Sequence, residues 1–334
     1  MGRRARSTGS VPAVDDRFPG FADVVELGAG TDFTAREVGT NRAVLLRRLV
    51  LGGAVSPGAL ERELSTLAAV SAHPNVVTLY RSFRAPDGTT VLVLEQAAGS
   101  LAARVAASGA RSPRAAVAIT VAVAGGLETA HRAGLRHGAL SPDTVLITRF
   151  GTPVIGGLGL AAEPGRGADP DGHVAPEVLE GAPVTPATDV YGLAATLYHL
   201  LTGQPAFVRR PDESAAALTL RILRDPVPAL DPATVPVRLG DVLLRALAKD
   251  ARQRPASAAT LAQQLAEIEQ AEGWPVTPLV FGAVRTPPRR PGPGPGASSA
   301  STRPRPVALS GAGAGRSSGP PSPAPARPTS TTSG

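Results

Sequence analysis

The apolar residues of this chain change their spacing near residue 98, and that change limits the folds open to it. From residue 21 to about 96 they come in short β-branched runs, ADVVELGAG, RAVLLRRLVL and TTVLVLEQ, separated by turn signals such as Pro86-Asp87-Gly88. This is the pattern of strands. Between the second and third runs, GALERELSTLAAVSA places Leu60, Leu64, Leu67 and Val70 at helical spacing with charge on the opposite side. From Gly99 the periods become long and helical, over 114–133, 188–202, 239–249 and 256–271, the last with Ser257 as its cap. The spacing predicts an α+β chain: a β-rich first lobe with one main helix, 21–98, and a larger helical lobe, 99–272. No internal repeat of the solenoid type is present.

Composition matters at the two ends. The segment 273–334 is rich in Pro, Gly, Ser and Arg and offers almost nothing to bury, so it is expected to be a disordered tail, as is the polar stretch 1–20. From residue 284 onward lie seven Arg and no acid. Removing those seven from the 34 basic residues leaves 27 basic against 27 acidic ones, so the folded part is near neutral. The high isoelectric point belongs to the tail and gives no ground for a nucleic-acid partner. With no Cys there is no disulfide framework, thiolate nucleophile or Cys metal site. The most apolar run, AAVAITVAVAGGL at 115–127, is shorter than the ~18 residues of a membrane span and is flanked by Arg114 and Glu128, so a buried helix is expected. No apolar stretch follows the basic N-terminus as in a signal peptide. The reading is a soluble, cytoplasmic chain without a membrane span.

An ordered set of motifs then comes into view: LGAG at Leu27, Glu63 followed by HPNVV at His73, HGALSPDTVLI at His137, GLGLA at Gly157, APEVL at Ala175, DVYGLAATLYHLLTG at Asp189 and RPASAATL at Arg254. In this order and spacing they resemble the bacterial, actinobacterial-type serine/threonine protein kinases, over roughly residues 21–271. The resemblance implies a protein kinase-like bilobal fold. It also implies nucleotide contacts, if retained, at Gly28, Gly30, Leu45, Arg47, Glu63, Glu95, Ala97 and Leu146.

In that family a strand Lys grips the phosphates, two Mg²⁺ sit on the DFG Asp and a loop Asn, and the HRD Asp takes the substrate proton. The positions here depart from each of these. Arg47 stands at the strand Lys, and the single lysine of the chain, Lys249, lies near the far end of the domain. A guanidinium could still pair with Glu63, but it is not an equivalent phosphate ligand. Leu45 replaces the small residue that lies against adenine, and Phe33 replaces a third loop glycine. The catalytic loop carries Ala139 for the base, Ser141 for its Lys and Thr144 for the metal Asn; Gly157 stands at the DFG Asp. No catalytic residue and no metal ligand are therefore expected. Asp143 is the nearest carboxylate and reads as a solvent-facing turn residue. The segment 157–177 holds no Ser, Thr or Tyr that phosphorylation could switch, and Pro170 replaces a substrate-contacting Thr.

Residues that hold such a fold are kept. Glu177 and Arg254 match a buried ion bridge, Asp189 the acid that anchors the catalytic loop, and Glu63 the main helix of the first lobe. Leu67, Leu79, His137 and Leu158 match an apolar column between lobes, so His137 reads as a core histidine. The resemblance thus implies a degenerate member, a pseudokinase that regulates or scaffolds in serine/threonine kinase signalling. No cofactor is expected, and any ATP binding would be weak and metal-independent. The implied partner is a protein: an active kinase, a substrate or a phosphothreonine reader drawn to a tail site such as Thr286 before Pro287. The alternative is an atypical ATP-binding kinase whose replacement residues come from Asp143, Glu95 or the acids of 157–177.

Overall fold

Strand β3, Arg42–Leu49, shows how the first lobe is built. Its even residues Val44 and Leu46 are fully buried, while Leu45 and Arg47 point to the opposite face, the two-residue period of a strand with two covered sides. In the computed structural model, which describes residues 15–28, 30–50, 57–159 and 172–282, β3 is the middle of an antiparallel sheet. That sheet also holds β1 (Phe21–Leu27), β2 (Asp32–Glu37), β4 (Leu79–Arg84) and β5 (Thr90–Glu95), in the order β1-β2-β3-β5-β4. One face packs Phe18, Phe21, Phe33, Val44, Leu46, Val91 and Val93. The other, with Leu92 and Leu94, joins the main core beside helix α1, Pro57–Val70. Three strands were legible in sequence; β2 (DFTARE) and β4 (LYRSFR) were not, because their exposed positions are charged and interrupt the apolar runs.

In the second lobe a small sheet of β6 (Gly99–Ser100), β7 (Val145–Ile147) and β8 (Pro153–Ile155) faces the first lobe. The loop after α1 bridges the two: Val76 pairs in parallel with Ile155, and Asn75 Nδ2 donates to the Pro153 carbonyl at 2.9 Å. Helices α2 (Leu101–Ser108) and α3 (Pro113–Arg132) follow, capped by Ser100 and Ser112. Then come α4 (Pro176–Leu179), α5 (Pro186–Thr202), α6 (Ala215–Arg224), α7 (Val237–Ala246) and α8 (Ala258–Ala271). The expected helix over 239–249 ends earlier, at Ala246, and the one over 256–271 starts at Ala258 because Ser257 caps it by accepting from the Thr260 N–H. The apolar run 115–127 is the buried middle of α3; among the described residues no helix is long and apolar enough to cross a membrane. Gly125 and Gly126 sit mid-helix because a methyl group there would come within 2.5 Å of the Val280 carbonyl oxygen and 2.9 Å of the Asn75 one.

The expected disorder at the two ends needs correction where the ends are described. Residues 15–20 are folded, with Phe18 only 1% exposed and its ring 4.9 Å from that of Phe33; an aromatic this close to β1 fills the outer core of the sheet. Residues 273–282 pack against α3 and α8 instead of starting a loose tail, since Trp274, Thr277 and Phe281 supply groups to dock. Residues 1–14 and 283–334 lie outside the described residues, and so do 160–171 with Pro170.

Arg254 and Glu177 close the base of the second lobe. The guanidinium, with no exposed side-chain surface, donates to both carboxylate oxygens at 2.8 and 2.7 Å and to the carbonyls of Ala248, Ala187 and Lys249. It also lies 4.9 Å from the centre of the Tyr191 ring. Removing one member of such a pair strands a buried charge. We expect Glu177→Ala to lower the unfolding free energy by ~3–5 kcal/mol in urea titrations; a loss below ~1 kcal/mol would show that the bridge is not a fold-holding contact.

Candidate functional site

The motif HGALSPDT folds into a loop that backbone bonds hold from beneath. The Asp189 carboxylate, on α5 and 1% exposed, accepts from the His137 N–H at 2.9 Å, the Gly138 N–H at 2.7 Å and His131 Nε2 at 2.8 Å. His137 has no exposed surface. Its Nε2 donates to the Gly156 carbonyl at 2.8 Å and its Nδ1 accepts from the Ala139 N–H at 3.2 Å, contacts that the neutral Nε2–H tautomer satisfies together. His137 is thus bound into the interior by backbone partners, and Leu158, Leu67 and, partly buried, Leu79 belong to the main core.

Leu45, Leu67, Leu94, Leu146, Ile155 and Leu158 line a cleft between the lobes together with the polar or small residues Arg47, Asp143, Thr144 and Gly157. Its cavity measures about 90 Å³, well under the ~300–1,000 Å³ of a typical small-molecule site. Of the expected nucleotide contacts, this cleft gathers Leu45, Arg47 and Leu146. Gly28 and Gly30 form the β1–β2 turn, each at positive φ, with Gly30 N–H donating to the Gly28 carbonyl at 2.9 Å. Neither glycine has heavy atoms within 3.5 Å of where a Cβ would be, so the turn conformation alone demands them. Glu95 and Ala97 line a different groove, with Arg42, Tyr80 and Arg149, and Glu95 Oε2 accepts from Thr78 Oγ1 at 3.1 Å.

Arg47 is not paired as expected. Its Nε and a terminal nitrogen donate to the two Asp32 oxygens at 2.7 and 2.5 Å, because Asp32 is its direct cross-strand partner in the β2–β3 register. Strand register is not written in the local pattern, so Asp32 could not be picked out as the partner before the fold was known. Among the described residues no ion pair reaches Glu63, whose Oε1 instead lies 3.3 Å from where Gly159 would carry a Cβ. Burial pushes the Glu63 carboxyl above its ordinary range. Lys249 cannot replace the strand lysine: it packs over the Phe207 ring at 4.3 Å and donates to the Ile222 carbonyl, and burial pushes it down to about 8.

Chemically, the polar side of the cleft is sparse. Ala139 offers a methyl group, and Gly157, at φ 76°, offers no side chain. The Thr144 hydroxyl accepts from the Ser141 N–H and donates to the Ser141 carbonyl, both at 3.0 Å, so it is consumed inside the loop. Asp143 is exposed, as expected of a turn residue, yet it also lines the cleft.

Comparison with known proteins agrees with this layout. A family model described as protein kinase domain matches residues 24–266. Serine/threonine-protein kinase PknK of Mycobacterium tuberculosis is 34% identical over 268 residues, covering 76% of this chain and 24% of that protein. PkaA of Streptomyces coelicolor is 33% identical over 230 residues, 64% of this chain and 40% of that protein. PknB of Mycolicibacterium smegmatis is 27% identical over 270 residues, 75% and 43%. The chain spans less than half the length of these curated relatives.

The anchoring carboxylates set a pH dependence. Burial acts to raise both Asp189 and Glu177, but the bonds from His131 Nε2 and the His137 N–H outweigh it for Asp189, as Arg254 does for Glu177, so both end below their ordinary values of 3.8 and 4.5. A depressed folded pKa gives stability that is present above the unfolded value and lost as pH falls through the folded one. Glu63, raised, acts in the opposite sense. We expect melting temperatures to fall from about pH 5 towards about pH 3, with Asp189→Asn less stable at neutral pH and flatter across that window; an Asn variant with the parent's slope would remove Asp189 from the account.

Proposed function

This chain belongs to the protein kinase domain family, and we propose that it is a member that keeps the fold without the phosphoryl-transfer chemistry, a pseudokinase that serves as a regulatory or scaffolding module in serine/threonine kinase signalling. The observation that carries this reading is the donor set of the cleft. At the three positions that would hold metal and accept a proton stand Ala139, a Thr144 whose hydroxyl is spent on Ser141, and Gly157. These residues do not fit a Mg²⁺–ATP group. A divalent cation beside a triphosphate needs oxygen ligands, and positioned acid–base groups supply ~10²–10⁴ in rate. The Arg47 guanidinium, held by Asp32, is turned to a structural role, and the leucine-lined slot is small for a purine.

The partner this surface serves is a protein: an active kinase, a substrate, or a reader of phosphothreonine acting in the cytoplasm. Membership alone does not fix the activity, since a fold carries function only through its site. One observation favours a second reading. Asp143 lines the cleft, so an atypical ATP-binding kinase would use its carboxylate as the relocated base.

Thermal-shift titration with ATP, alone and with Mg²⁺ or Mn²⁺, separates the two, because a ligand that binds the native state raises its melting temperature. The pseudokinase reading expects no metal-dependent shift and no transfer of labelled γ-phosphate to protein. A metal-dependent shift together with transfer that disappears in Asp143→Asn would establish the second reading and end the first.

A further inference from the structure

Past α8 the chain does not leave the domain but returns along α3. The Trp274 N–H donates to the Glu269 carbonyl at 2.7 Å. Farther on, His73 Nε2 donates to the Val280 carbonyl at 3.0 Å while its Nδ1 accepts from the Asn75 N–H, the Gly282 N–H donates to Thr129 Oγ1 at 3.0 Å, and Arg132 stacks 4.5 Å from the Phe281 ring centre. Gly125 provides the room for this strap, as a methyl group there would sit 2.5 Å from the Val280 oxygen. The strap therefore ties the end of the domain to the His73–Val77 loop that bridges the lobes.

Its centre is a buried carboxylate. Glu269 has no exposed surface, and among the described residues no cation pairs with it. Both hydrogen bonds to its carboxylate come from one strap residue: the Thr277 N–H at 2.8 Å and the Thr277 hydroxyl at 2.6 Å. A buried carboxylate without donors is costly, so Thr277 and Glu269 hold each other in place. The same arrangement makes position 277 intolerant of negative charge, and Thr277 is a hydroxyl residue, partly exposed and followed by Pro278.

We propose that Thr277 is a phosphorylation site and that its phosphorylation by another protein kinase releases the strap. In that step Thr277 Oγ attacks the γ-phosphorus of ATP held by the modifying kinase, the bond to the bridging oxygen breaks, ADP leaves, and the hydroxyl proton passes to that kinase's base. In the docked strap the hydroxyl is bonded to Glu269, so modification captures the lifted conformation and holds it there by population shift. The phosphoryl group replaces the donor by an anion of about −1.5 to −2, facing a carboxylate that no cation among the described residues pairs with. His73 and Thr129 then lose their strap partners, and the loop packed on Gly126 loosens. This release is independent of whether the cleft binds nucleotide.

The chain has one tryptophan, Trp274, and it lies in the strap, so intrinsic fluorescence reads the docking directly in the full chain. The comparison is among Thr277→Glu, a chain carrying phosphothreonine at 277, Thr277→Val, and Gly125→Ala as a control that displaces the strap sterically. The two anionic forms should red-shift Trp274 emission and raise amide exchange at 273–282 and 71–77 by about tenfold or more, with unchanged far-ultraviolet circular dichroism. Thr277→Val should do so less, and Glu269→Gln added to Thr277→Glu should restore protection, because a carboxamide can donate to the new carboxylate. The proposal fails if the anionic forms keep the parent's emission and exchange, if Thr277→Val releases the strap as fully, if Glu269→Gln rescues nothing, or if the anionic forms unfold globally. It fails equally if mass spectrometry of the protein from its native cells finds the Thr277 peptide unmodified throughout growth.

Discussion

The Asp189 carboxylate is the point on which the second lobe and the cleft both depend. Three donors converge on it from two elements, a histidine of α3 and two successive backbone amides of the loop after it. A carboxylate removed from water is tolerable only when its oxygens are met in this way. The consequence is geometric: with those amides fixed, His137 is set to bond the Gly156 carbonyl, and the floor of the cleft is positioned by bonds to the backbone. Loop shape and chemistry are thereby decoupled. Ala139, Ser141, Thr144 and Gly157 can occupy their positions while the backbone keeps its course.

The same division runs through the rest of the domain. Contacts that hold the fold are buried and complete: Arg254 meets Glu177 and three carbonyls, and the loop after α1 joins β8 through Val76, Asn75 and Ile155. Groups at the cleft are few, and several are committed elsewhere, Arg47 to Asp32 and Thr144 to its own loop. The strap along α3 continues the folded domain beyond residue 266, where the family match ends.

Much of the fold was legible as sequence because burial imposes periodicity. The change of spacing near residue 98, the helices α1, α3, α5 and α8 and the Ser257 cap all follow from where apolar and capping residues fall. Strands β2 and β4 escaped because charged and polar residues interrupt their apolar positions, and α2, α4 and α6 because they are short and carry few buried positions. At the site, the absence of carboxylate and amide groups at 139, 144 and 157 was readable directly, since a missing atom needs no geometry. The partner of Arg47 was not, because choosing between Glu63 and Asp32 requires the strand register. Nor was the docking of 273–282, whose composition reads as loose chain and whose fixed points are carbonyls and amides.

By itself, then, the sequence determined which element types the chain forms, the order of the motifs, and which chemical groups the cleft lacks, because these depend on residue identity and local spacing. Only the tertiary structure decided who pairs with whom: Asp32 with Arg47, Asp143 at the cleft wall, and Thr277 on the buried Glu269. Such pairings join residues distant in the chain through backbone register and shared burial, and neither quantity exists until the chain has folded.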